Sequence, residues 1–171
     1  MNRILGVIDR ISAVLSRIAE AVTLILVASM IYEVVARYVF GAPTIWAFDI
    51  SYMCTGTLFV LGAAYALKQD AHVRIDFLAQ KLPPALRQKI EGGVFLCLLL
   101  PIFIGLSWVA TGRAWRAFVE GEVEMVSPWA PLMWPFYSML ALGLIALTLQ
   151  IFAQGCRAFL GRSRSDFELE A

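Results

Sequence analysis

The sequence predicts an all-α integral membrane protein with four transmembrane helices, and three observations predict it. Of the 171 residues, 60% are hydrophobic and 16% charged, with a mean hydropathy of +0.76. Soluble domains lie nearer half apolar and about a quarter charged, so the excess apolar surface needs lipid as its solvent. Four apolar stretches approach the roughly 20 helical residues that cross a hydrocarbon core of about 30 Å. The Lys and Arg residues are sorted by position, which gives the spans a direction. Together these describe one membrane domain over residues 1–171, with spans near 18–40, 49–67, 90–110 and 129–152.

The N-terminal stretch comes first. Ile4, Val7, Ile8, Ile11, Val14, Leu15 and Ile18 recur at helical spacing, with Arg3, Arg10 and Arg17 beside them. This is an amphipathic helix, either lying at the cytoplasmic interface or extending span one inward. It covers too few heptads for a stable coiled coil. Span one follows, from Ile18 to Phe40. Span two runs from Asp49 to Leu67 and carries no charge after Asp49.

Between spans two and three, KQDAHVRIDFLAQKLPP alternates charged and apolar residues. Val73, Phe77 and Leu78 can face lipid or a partner while Arg74, Asp76, Gln80 and Lys81 stay in water. The segment reads as a short cytoplasmic interfacial helix near 73–82, ended by Pro83 and Pro84. Span three, Ile90 to Ala110, has Pro101 near its middle and is expected to kink there. Span four, Trp129 to Phe152, opens among Pro128, Pro131 and Pro135, where proline is best tolerated.

Direction follows from the basic residues. Arg3, Arg10 and Arg17, then Lys68, Arg74, Lys81, Arg87 and Lys89, then Arg157, Arg162 and Arg164 share one side. Arg37, Arg113 and Arg116 fall on the other. The positive-inside rule places both termini and the central connection in the cytoplasm, an N-in/C-in topology. Trp46, Trp108, Trp115, Trp129 and Trp134 all fall at the outer ends of spans, where an aromatic belt sits.

Little in the chain carries chemistry. No Walker A pattern or H-E-x-x-H occurs, the N-terminus lacks the form of a cleaved signal peptide, and Cys54, Cys97 and Cys156 form no C-x-x-C pair. A net charge of +1 argues against a nucleic-acid binder. His72 is the only histidine, so a bis-histidine haem has no second ligand. Beside Asp70 and Arg74 it reads as a hydrogen-bonding residue of a turn. Glu33 and Arg37, four apart with the acid first, make a favourable helical ion pair. They either anchor the outer end of span one or make a polar contact to another membrane subunit or to the helix bundle. Asp49 complements the dipole at the start of span two. Glu120, Glu122 and Glu124 form an acidic outer loop, solvated by default and otherwise a docking patch. No nucleophile is paired with a base and no metal cluster is visible, so neither an enzyme nor a cofactor is expected. The residues lead to a four-helix membrane protein that works with a partner.

Three stretches resemble a known family. RYVFGAPTIWAFDIS after span one, LGAAYALKQDAHVRID leaving span two and PLMWPFYSMLALGLIALTLQ in span four are similar to the small, DctQ-type membrane subunit of TRAP (tripartite ATP-independent periplasmic) transporters. The likeness runs in order over about residues 15–155. Its most specific part is Gly62, Ala63, Tyr65, Ala66, Leu67, His72, Val73, Arg74, Ile75 and Asp76.

The resemblance implies a division of labour. A large, DctM-type permease carries substrate and sodium sites and moves as an elevator. A periplasmic, DctP-type binding protein delivers the substrate, typically an organic acid. The small subunit braces the scaffold in the bacterial inner membrane, in contact with lipid. Glu33, Arg37, Asp49 and the segment with His72, Arg74 and Asp76 would then fix helix register or subunit contacts. The outer loop from Gly112 to Ser127, with Glu120, Glu122 and Glu124, would face the binding protein. Two other classes compete: a small stand-alone proton-coupled transporter or exporter, dimeric and using Glu33, and the membrane anchor of a respiratory complex.

Overall fold

A computed structural model describes residues 2–69, 89–90 and 92–160. Its described residues form long helices joined by one short loop and one structured turn. Helix α1 spans Asn2–Tyr38, α2 Ala47–Lys68, α3 Leu100–Glu120 and α4 Trp134–Leu160. A π-helical segment, Val94–Leu99, leads into α3. All four are long and apolar enough to cross a membrane, counting the π segment with α3. The chain is a multi-pass, all-helical membrane protein.

Helix α1 is continuous over 37 residues, about 55 Å at 1.5 Å per residue. That exceeds a hydrocarbon core of about 30 Å. Of the two readings of the amphipathic N-terminus, the structure has the one in which it extends the helix of span one. Leu5 and Ile8 are buried against Ala153 and Leu149 of α4, while Val7, Ile11 and Val14 of the same stretch stay exposed.

Proline in span three is accommodated rather than left to break the ladder. Pro101 sits in the first turn of α3. Just before it the helix widens to π, and the Leu100 N–H donates to the Phe95 carbonyl, five residues back. A proline lacks a donor and crowds the preceding turn, and a wider turn relieves that crowding.

The helices make contact in the order α1, α2, α4, α3, and the inner part of α1 also reaches α4. Helices α2 and α4 form the centre. Ala64 and Leu67 of α2 pack against Ala146, Leu147 and Ile151 of α4. Close approach depends on small residues, as expected where lipid supplies no hydrophobic drive between helices. A Cβ on Gly143 would lie 2.6 Å from Val60 Cγ1 and 3.0 Å from the Val60 carbonyl carbon, so α4 touches the α2 backbone there. Helix α3 joins α4 through a hydroxyl pair, Ser107 and Thr148, 2.9 Å apart. Helices α1 and α3 leave large apolar side chains uncovered, among them Leu24, Ile31, Trp108 and Val109.

The α3–α4 connection is built rather than loose. Gly121 ends α3 in the left-handed conformation, φ 62°, which glycine adopts without a Cβ penalty. The chain then folds back on itself. Glu124 N–H donates to the Pro131 carbonyl at 3.0 Å and Met133 N–H to the Glu122 carbonyl at 2.9 Å, closing an isolated antiparallel bridge between Val123 and Leu132.

Candidate functional site

The polar groups collect at the two ends of the helices. One end holds the connections 41–46 and 121–133, and is called the loop end. The other holds the start of α1 and the end of α4, and is called the terminal end.

At the loop end, Glu33 is the organising group. It faces inward at 8% exposure near the end of α1. One carboxylate oxygen accepts from Arg37 Nε at 2.8 Å and from Nη2. The other accepts from the Thr44 backbone N–H at 3.0 Å and from the Thr44 hydroxyl. The helical spacing of Glu33 and Arg37 makes the first contact. The second pins the following connection back onto α1. Tyr32 stacks on Trp46 nearby, ring centroids 5.6 Å apart. Glu33 is therefore a saturated acceptor that ties two elements.

Asp49 does similar work for α2. It lies in the first helical turn and is buried. Besides facing the positive end of the helix, it accepts a hydrogen bond from the Ser127 hydroxyl. Ser127 Oγ in turn accepts from the Trp129 N–H at 3.1 Å. Asp49 thus fastens the α3–α4 connection to the start of α2.

The three acidic residues of the outer segment are not alike. Glu120 is the last residue of α3 and is exposed. Glu122 pairs with Arg113, whose guanidinium also lies 4.9 Å from the Tyr137 ring centroid. Glu124 accepts from the Val126 N–H at 3.3 Å. The most exposed side chains of the turn are apolar: Met125 and Val126.

The terminal end holds a network that sequence reasoning missed. Asp9 accepts from Arg157 Nη2 at 2.7 Å and from Gln150 Nε2 at 3.2 Å. Gln150 Oε1 accepts from the Ser12 hydroxyl at 3.0 Å. Ser12, Gln150 and Arg157 are all buried. The Lys68 ammonium adds α2 by donating to the Asp9 carbonyl at 3.1 Å, and Gln154 donates to the Leu67 carbonyl at 3.1 Å. The available signal was Ser12 and Asp9 interrupting an amphipathic stripe, and a lone glutamine inside span four. Arg157 read only as a sidedness charge.

His72, Arg74 and Asp76, with the interfacial helix expected near 73–82, lie outside the described residues. Glu33, Arg37 and Asp49 share the loop end but serve different clasps. Among the described residues, no group of three or more His, Cys, Asp or Glu side chains converges as a metal site would require. The geometry links helices and connections through hydrogen bonds and an ion pair.

Comparison with known proteins gives this arrangement its family. Residues 26–161 match the family described as Tripartite ATP-independent periplasmic transporters, DctQ component. The chain belongs to the DctQ family. That makes it a transporter component of the small permease type and not an enzyme. Two relatives agree. The DctQ-family chain is 21% identical over 130 residues to the sialic acid TRAP transporter small permease protein SiaQ of Vibrio cholerae, covering 74% of this chain and 73% of SiaQ. It is 30% identical over 81 residues to the sialic acid TRAP transporter permease protein SiaT of Haemophilus influenzae, covering 45% of this chain and 13% of SiaT. No solved structure matches the DctQ-family chain. The family match begins at residue 26, so Asp9 and Ser12 fall before it, while Gln150 and Arg157 fall within it.

Proposed function

We propose that this DctQ-family chain braces the static scaffold of a large, elevator-type TRAP permease. That permease would carry out ion-coupled uptake of an organic acid delivered by a periplasmic binding protein. The observation that carries the reading is the contrast between the ends and the flanks. Both ends are tied by polar clasps, while α1 and α3 turn uncovered Leu, Ile, Val and Trp side chains outward. A stiff raft with apolar flanks suits a frame, because an elevator needs a fixed reference and a yielding one would absorb the displacement. SiaT supports the pairing. This chain's likeness to it covers a small part of a much longer permease polypeptide. The relatives are named for sialic acid, an organic acid, and we extend only that chemical class to this chain.

The terminal end is the cytoplasmic one in this reading, since Arg10, Arg17, Lys68 and Arg157 collect there. The membrane is the bacterial inner membrane. The outer turn, with Glu120, Glu122, Glu124 and the exposed Met125–Val126 tip, would meet the binding protein. A stand-alone proton-coupled exporter would need Glu33 open to a cavity and free of Arg37. Its clasp by Arg37 and Thr44 speaks against that role. Deleting this chain while the large permease is still made tests the proposal. Substrate uptake is expected to vanish; uptake at the normal rate contradicts it.

A further inference from the structure

A groove opens sideways between α1 and α2 at the loop end. Its volume is about 680 Å³, and it is lined by Met30, Val34, Arg37, Phe48, Tyr52 and Thr55, among others. We propose that it seats one acyl chain of a glycerophospholipid whose phosphate lies on Arg37. The inference rests on α1 and α2 crossing the membrane and does not depend on the scaffold role.

Depth comes first. Tyr32, Tyr38, Trp46 and Trp129 gather at the loop end, and Tyr and Trp rings mark the headgroup level. Arg37 lies in the last turn of α1, so its guanidinium is at that level. Met30 and Gly56 lie about two turns deeper, within hydrocarbon. The groove is therefore charged where headgroups are, and where acyl chains are it is mainly apolar, with the Ser51 and Thr55 hydroxyls in its wall.

Shape comes second. Gly56 forms part of the groove wall, and it has no side chain for a local reason. A Cβ there would stand 2.9 Å from the Phe136 ring. That glycine therefore serves the contact of α2 with α4, and the groove's room lies on the other side, between α1 and α2. Such a volume lies within the range of about 300–1,000 Å³ typical of sites for small ligands.

Charge comes third. Glu33 holds Arg37 through Nε and Nη2, so the guanidinium is fixed in place. Its side chain is still 55% exposed, and Nη1 makes no hydrogen bond among the described residues. A planar guanidinium with one edge held and another free suits a phosphodiester, which accepts charge-assisted hydrogen bonds. The Glu33–Arg37 pair is neutral overall, so recognition is of the phosphate group rather than of bulk negative charge.

The test uses the full-length chain purified from membranes with its partner, stripped of lipid and titrated in detergent by native mass spectrometry. Two probes are compared: dioleoylphosphatidylglycerol, and dioleoylglycerol, which has the same chains and no phosphate. The unaltered chain should bind the phospholipid about tenfold more tightly, the size of one charge-assisted hydrogen bond. Arg37→Gln should erase that preference. Thr55→Trp, which fills the groove and leaves the Glu33 clasp intact, should weaken both lipids about tenfold or more. Thr111→Trp, on the α3 side, should change neither. Equal binding of both probes by the unaltered chain, or a Thr55→Trp chain that binds as before, overturns the proposal. So does a photoreactive benzoylphenylalanine at position 55 that couples in membranes to another polypeptide instead of to lipid, since the groove would then be a protein contact.

Discussion

Glu33 accepts hydrogen bonds from two directions, and its removal should be felt in both. Glu33→Ala leaves the Arg37 guanidinium and the Thr44 N–H without their acceptor. We expect only a modest loss, read as a slightly lowered melting temperature in detergent, because Arg37 and Thr44 both keep access to solvent. Unchanged melting would mean that the clasp contributes nothing. Asp9 makes a sharper case, because it is the acidic partner of an arginine whose side chain is 5% exposed. Breaking a buried pair by removing one partner costs about 3–5 kcal/mol, somewhat less here because Asp9 keeps contact with solvent. Asp9→Asn should therefore destabilise strongly, and the swap Asp9→Arg with Arg157→Asp should recover part of the loss. If the swap is no better than either single change, the ion pair is not what holds the two helices.

How much of this was legible in the sequence depends on how local each contact is. Glu33 and Arg37 lie one helical turn apart, so their pairing could be read directly from spacing. Asp49 was legible as a first-turn acid, but its bond to Ser127 spans 78 positions and needs the fold of the α3–α4 connection. The Asp9–Arg157 pair spans 148 positions and stayed hidden. Nothing in a linear pattern says that the start of α1 lies along the end of α4.

The helices repeat this lesson. Four spans follow from hydropathy alone, because each must bury about 20 apolar residues in hydrocarbon. Whether the amphipathic N-terminus lies flat or continues α1 could not be decided from its stripe, since lipid and a neighbouring helix reward the same apolar face. The packing of Leu5 and Ile8 on α4 decides it. The α2–α4 seam depends on Gly143, whose added Cβ would meet both side-chain and backbone atoms of α2. Gly143→Leu should push the two central helices apart at a cost of about 1–3 kcal/mol or more, and should lower the yield of folded chain. Gly105→Leu, on α3 with no atom within 4 Å of its added Cβ, is the control expected to be tolerated. Equal yields from the two variants would remove close packing as the reason for glycine at 143.

Taken as one object, the chain's described residues form long helices fastened at both ends. Its central helices meet through small residues, its ends are fastened by carboxylates, and its flanking helices offer apolar surface to whatever lies beside them. Membership of the DctQ family supplies the context for such a part. The claim that matters most is that this polypeptide supports transport without performing it. The direct measurement is substrate uptake into proteoliposomes under a sodium gradient, with the binding protein present. It compares vesicles holding this chain alone, the large permease alone, and both together. Uptake only in the third preparation is predicted; uptake driven by this chain alone, or full uptake by the large permease without it, would contradict the account.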